Sequence, residues 1–107
     1  MSKRKGELTR STIDRYWPWQ VALEERFCVG PRQRRLRHFC RDLSLGNRGH
    51  AFQRDGVFFQ VFCFELREHA ELFATRFNGE LMHANDRPRW PGRSPPPPVK
   101  WKPPLVE

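Results

Sequence analysis

Asp55-Gly56-Val57-Phe58-Phe59-Gln60-Val61-Phe62-Cys63-Phe64 is the stretch on which the fold turns. From Val57 to Phe64 it is the most apolar run in the chain, and it is rich in the β-branched and aromatic residues that favour strands. Asp55-Gly56 is a tight-turn signal between two extended runs, so the short, mostly polar segment from His50 to Arg54 reads as the strand leading into it. The long strand has two unlike faces. Val57, Phe59, Val61 and Cys63 alternate with Phe58, Gln60, Phe62 and Phe64. The polar Gln60 assigns the second set to the face away from the helices, and the first set to the core.

Downstream, Leu66, Ala70, Phe73, Ala74 and Phe77 share one face of a helix, which Asn78-Gly79 terminates. Glu80 to His83 is short enough for a last edge strand. Upstream, Gly30-Pro31 opens a helix with proline at its first position, and Leu36, Phe39, Cys40 and Leu43 follow helical spacing. Before it, Trp17, Trp19, Val21 and Leu23 alternate as one face of a first strand, with Pro18 tolerable near its start. Strand, helix, strand, turn, strand, helix, strand is the split β-α-β order of ferredoxin-like folds. The expected fold class is therefore α+β, an antiparallel sheet with two helices on one face. The first and third strands would be central and the polar second and fourth would lie at the edges. The expected boundaries are a basic N-terminal arm over 1–15, the α+β domain over 16–85 and a Pro/Arg/Trp-rich tail over 86–107. Both arms are expected to lack a packed structure, the tail as polyproline II or disordered chain.

The formal charge of +8 is unevenly placed. Trp17 to Asp86 carries ten Arg against nine Asp and Glu, so the excess lies in the two extremities. Such a distribution suits contact with an anionic partner. Within the domain the two helices differ. In the later one Glu68 sits in the first turn and Arg76 in the last, both complementing the helix dipole, and Arg67 and Glu71 are spaced to pair. In the earlier one Arg32, Arg34 and Arg35 crowd the positive end of the dipole, and Arg26 to Arg41 contains six Arg and no acid. Arg32, Arg34, Arg35, Arg37 and Arg41 are the candidate phosphate contacts. Arginine suits bidentate phosphate recognition, although a GC-rich genome yields the same preference for Arg over Lys, and a solvated face explains the run equally simply.

Phe58, Phe62 and Phe64 would form an exposed aromatic patch large enough to need a cover. The candidates are the tail with Trp90 and Trp101, a second copy, another protein, or bases. The segment from Asp55 to Phe62 loosely resembles the third-strand signature of the RNA recognition motif, and Phe77-Asn78-Gly79 resembles a later segment of it. The family's stacking positions fall on Val57 and Phe59, however, on the face assigned to the core, and the first strand lacks the family's aromatic.

Cys28, Cys40 and Cys63 have no metal-ligand or CxxC spacing and read as free thiols of a reducing compartment. There is no nucleotide-binding glycine loop, Gly-x-Ser-x-Gly elbow or His-Glu-x-x-His motif. No catalytic residue, metal, cofactor or small-molecule substrate is therefore expected. The opening Met1 to Glu7 has basic residues with no apolar run behind them, and no stretch approaches the roughly 20 apolar residues of a membrane span. The expected location is the cytoplasm, without membrane contact. Pro95 to Lys100 fits a ligand pattern for aromatic-lined grooves.

Thr12-Ile-Asp-Arg-Tyr-Trp-Pro-Trp-Gln-Val-Ala-Leu23, with Phe39-Cys40-Arg41, Arg48-Gly49-His50 and Val61-Phe62-Cys63-Phe64, resembles a set of small proteobacterial proteins of unknown function over roughly residues 8–80. The resemblance implies a bacterial cytosolic origin and a shared fold, and no activity. The expected function is a small binding or regulatory protein that meets an anionic partner, nucleic acid foremost, through the Arg-rich helix and the basic arms. The alternative is a protein-interaction module, a homodimer or a partner complex, built on Phe58, Phe62 and Phe64.

Overall fold

The computed structural model describes residues 9–88 and the backbone of Val99–Lys100. Its elements are α1 (Arg10–Tyr16), β1 (Trp19–Glu24), α2 (Pro31–Phe39), β2 (Arg48–Arg54), β3 (Val57–Phe64), α3 (Arg67–Phe77), β4 (Glu80–His83) and the two-residue β5 (Val99–Lys100). The sheet is antiparallel in the order β4-β1-β3-β2-β5. The first and third strands are central, as their apolar character requires. The second strand is not an edge, because β5 pairs with it through Arg48 and Lys100. The β2–β3 hairpin turns at Asp55 and Gly56, both at positive φ (55° and 78°), the backbone that a two-residue Asp-Gly turn supplies. Helix α3 stops at Asn78, itself left-handed at φ 57°. Leu66, expected in the core, is the N-cap residue of α3 and is exposed.

One sheet face packs against α2 and α3. Val21 and Leu23 of β1, Phe62 and Phe64 of β3, Leu36 of α2, and Ala70 and Phe73 of α3 form one buried cluster with Cys28 and Cys40. The Phe73 ring lies 5.0 Å from Phe62 and 5.3 Å from Phe64, centroid to centroid. This reverses the facing read from the sequence. Phe62 and Phe64 are not an exposed interface but the floor of the main core, 2% and 0% exposed; of the three, Phe58 alone is open, at 47%. Gln60 misled because a lone polar residue marks the solvent side only when one side is solvated. Here it is half-buried on the helix-covered face.

The opposite face is covered too. Ile13 of α1 packs with Ala22, Phe52, Val61, Cys63 and Met82, and Trp17 and Phe59 border the cluster. The seven residues of α1 lie mostly in what the sequence marks as an unpacked arm. Thr9 caps the helix, its Oγ1 accepting from the Thr12 N–H at 3.2 Å. A helix so short has little stability of its own, so it holds through its buried side. Farther along the same face, Phe59 stacks on Phe52 at 5.0 Å. The Arg54 guanidinium lies over both rings and pairs with Glu80 at 2.7 Å. Val57 and Phe59, where the RNA-recognition signature would stack bases, thus do face away from α2 and α3, but Phe59 is already engaged by Phe52 and Arg54.

A polar knot fastens α1 to the sheet. Asp14 Oδ1 accepts from Gln20 Nε2 (2.9 Å), His50 Nε2 (3.0 Å) and Arg87 Nη1 (2.6 Å), and Oδ2 accepts from Arg87 Nη2 (3.1 Å). A carboxylate only accepts, so the proton of this bond sits on Nε2 of His50. Arg87 also donates to Gln20 Oε1 at 3.0 Å. Gln20 and His50 are buried, at 0% and 3% exposure. Burial alone would raise the Asp14 pKa. The hydrogen bonds from His50, Arg87 and Gln20, with the charge of Arg87, outweigh burial and hold the carboxyl well below its ordinary range.

Because the native carboxyl binds its proton less readily than the unfolded one, Asp14 stabilises the fold fully above the unfolded carboxyl pKa of about 4, and that stability drains away as pH falls below it. Asp14→Ala should cost on the order of 3 kcal/mol, since it leaves the buried His50 Nε2–H without its acceptor and removes the carboxylate partner of the half-buried Arg87, and should flatten the acid limb of a denaturation–pH profile. Gly79 lies against β1. A Cβ there would collide with the Val21 side chain and sit 3.2 Å from the Ala22 carbonyl oxygen. Gly79→Ala should therefore lower stability by about 1–3 kcal/mol in urea unfolding.

Candidate anion-binding site

The pairing of β1 with β4 sets up the site. Ala22, near the end of β1, lies opposite Glu80, the start of β4. The chain that follows β1 and the chain that precedes β4 therefore meet at one end of the sheet, which brings the start of α2 beside the end of α3. Between them is a cleft of about 210 Å³, lined by Leu23, Phe27, Arg32, Arg35, Leu36, Arg76 and Phe77. Three arginines line one space, and none of its described lining residues is a carboxylate.

Aromatic rings hold two of these cations. Phe27 ends the short 3₁₀ turn Glu25–Phe27 and is 39% exposed. The guanidinium carbons of Arg26 and Arg32 lie 4.6 and 5.3 Å from its centroid, and Arg32 Nη1 donates to the Arg26 carbonyl at 3.4 Å. Arg76 lies 5.2 Å from the Phe77 centroid. Cation–π contacts of this kind fix a long side chain while leaving its N–H groups free to donate. Leu23 and Leu36, nearly fully buried, give the cleft an apolar floor, and a low-dielectric wall strengthens the field of the charges above it. Helix α2 opens on Gly30 with no side-chain cap, so the positive end of its dipole adds to that field.

The sequence-predicted residues divide. Arg32 and Arg35 line the cleft. Arg34 is exposed beside them but is not part of the lining. Arg37 is half-buried. Arg41 leaves the group: it pairs with Asp42 at 3.6 Å and contacts His38 at 3.4 Å. Among the described residues Arg32, Arg34, Arg35 and Arg76 make no ion pair, whereas Arg26, Arg41, Arg54, Arg67 and Arg87 each have a carboxylate. Arg76 was missed because as a helix-ending cation it already had a local explanation. The strand order, which places the two helix ends together, is the signal that reaches it. A second groove, of about 580 Å³, runs along α3 past Phe39, Leu72 and Thr75, but Glu68 and Glu71 line it and Arg76 is its sole cation.

His69 has a structural role. The Ser44 N–H donates to His69 Nδ1 at 2.9 Å, and the Leu66 N–H donates to Ser44 Oγ at 3.0 Å, tying the start of α3 to the loop after α2. Among the described residues no three His, Cys, Asp or Glu are grouped to hold a metal, and no helix is long and apolar enough to cross a membrane. Trp90, Trp101 and Pro95 to Pro98, offered as a cover or as a groove ligand, lie outside the described residues. Comparison with known proteins returns nothing: no family model, no curated protein and no solved structure is significantly similar to this chain.

All three cysteines are buried and free. Burial, assisted by Glu25 at Cys28, pushes the thiols of Cys28 and Cys40 up to about 12, and burial raises Cys63 as well. At neutral pH they stay protonated and weakly nucleophilic. A chromogenic disulfide reagent should label the native protein slowly and count three thiols at once in denaturant. Rapid native labelling of even one would refute the packing described here.

Proposed function

We propose that this protein binds nucleic acid through the basic end of its helical layer, with Arg32, Arg35 and Arg76 contacting its phosphate. The observation that carries the reading is that three arginines, from two helices, line one cleft with no carboxylate among its described lining residues. Exposed arginines at the positive end of a helix dipole cost about 0.3–1 kcal/mol each, and a bound polyanion removes that cost. Arg34, exposed one residue from Arg35, extends the surface. Phosphate contacts of this kind supply affinity without base choice. The strand order, with β1 and β3 central between β4 and β2, supports assigning the domain to the ferredoxin-like arrangement.

In fluorescence anisotropy at low ionic strength the protein should bind a labelled single-stranded oligonucleotide. Three phosphate contacts give a slope of about −2 in log affinity against log salt. Arg35→Glu with Arg76→Glu should weaken binding at least tenfold, whereas Arg15→Glu, on the exposed side of α1, should have a much smaller effect. No binding at low salt would remove this function.

A further inference from the structure

We infer that the cleft between the start of α2 and the end of α3 is an end-binding pocket that takes a phosphomonoester dianion rather than an internal phosphodiester. The inference rests on the reading that this basic face meets phosphate, and it adds which phosphate enters the cleft.

Charge is the first argument. A phosphodiester carries one negative charge, whereas a phosphomonoester carries about 1.5 to 2 at neutral pH and presents three strongly accepting oxygens. Arg32, Arg35 and Arg76 bring three positive charges to a single space, with no carboxylate among its described lining residues to offset them. One phosphodiester leaves most of that charge uncompensated. A dianion with three free oxygens offers each guanidinium an acceptor. Shape is the second argument. The cations converge on one cleft with a floor of Leu23 and Leu36, instead of spacing out along a track as repeated contacts to a continuous backbone would require. A terminal group enters a cleft end-on; an internal phosphate must bring a sugar on either side. Preorganisation is the third. Phe27 and Phe77 hold Arg32 and Arg76 in place before any ligand arrives, which reduces the ordering cost of gripping a small, highly charged group.

The test compares one oligonucleotide sequence with a 5′-phosphate and with a 5′-hydroxyl, together with the matching nucleoside 5′-monophosphate, on the full chain at fixed salt. The 5′-phosphorylated strand should bind at least tenfold more tightly than the hydroxyl strand. Arg76→Gln and Arg35→Gln should each erase most of that difference while circular dichroism stays unchanged, and Arg15→Gln should keep it. If the mononucleotide binds as tightly as the phosphorylated strand, the pocket stands and its ligand is a free nucleotide; weaker mononucleotide binding assigns it to a strand end. Equal affinity for both strands, with no mononucleotide bound, overturns the pocket but leaves nucleic-acid binding by the face intact. Failure of all three ligands to bind at low salt overturns both.

Discussion

A sheet whose central strand is apolar on both sides has to be covered twice, and this chain has two well-formed helices, both on the same side. The second cover is improvised from a seven-residue helix, and one carboxylate makes it hold. Asp14 gathers donors from β1, β2 and the segment beyond β4, so that α1, the sheet and the chain at Arg87 are fastened at one point. Helix propensity contributes little at that length. What keeps α1 in place is the burial of Ile13 together with a charge-assisted network whose members are all satisfied.

Closing the second face has consequences for how the protein meets other molecules. Most of the sheet's aromatic side chains are turned inward. Phe62 and Phe64 lie under α2 and α3, and Phe52 and Phe59 stack under Arg54. Among the described residues of the sheet, Phe58 is the one aromatic side chain left exposed. The unbalanced feature that remains is electrostatic and sits on the helical layer. Arg26, Arg41, Arg54, Arg67 and Arg87 have carboxylate partners. At the junction of α2 and α3, Arg32 and Arg76 have aromatic partners instead, which steady their guanidinium groups without neutralising them.

Part of this was legible in the chain. Strand and helix positions followed from local signals that no distant residue overrides. Asp55-Gly56 supplies positive φ, Pro31 suits a first helical turn, Asn78 accepts the left-handed conformation, and the apolar spacing of α2 and α3 marks their inner faces. The concentration of arginine at the start of α2 was equally plain, because charge against a dipole is a property of one helix. The facing of β3 was not. With large apolar residues on both sides, alternation says that two faces exist but not which one the helices take, and Gln60 pointed the wrong way. Nor was α1 apparent, since its stability comes from His50 and Arg87, 36 and 73 residues from Asp14.

The sequence by itself determined the order of elements, the turns and caps, and the presence of surplus positive charge, since each of these depends on neighbours within a few residues. The tertiary structure alone decided which aromatic residues are hidden, which arginines are neutralised, and that Arg76 joins Arg32 and Arg35 across a shared cleft. Those outcomes depend on which strand ends are brought side by side, and the antiparallel pairing of β1 with β4 is a contact between segments that no local pattern specifies.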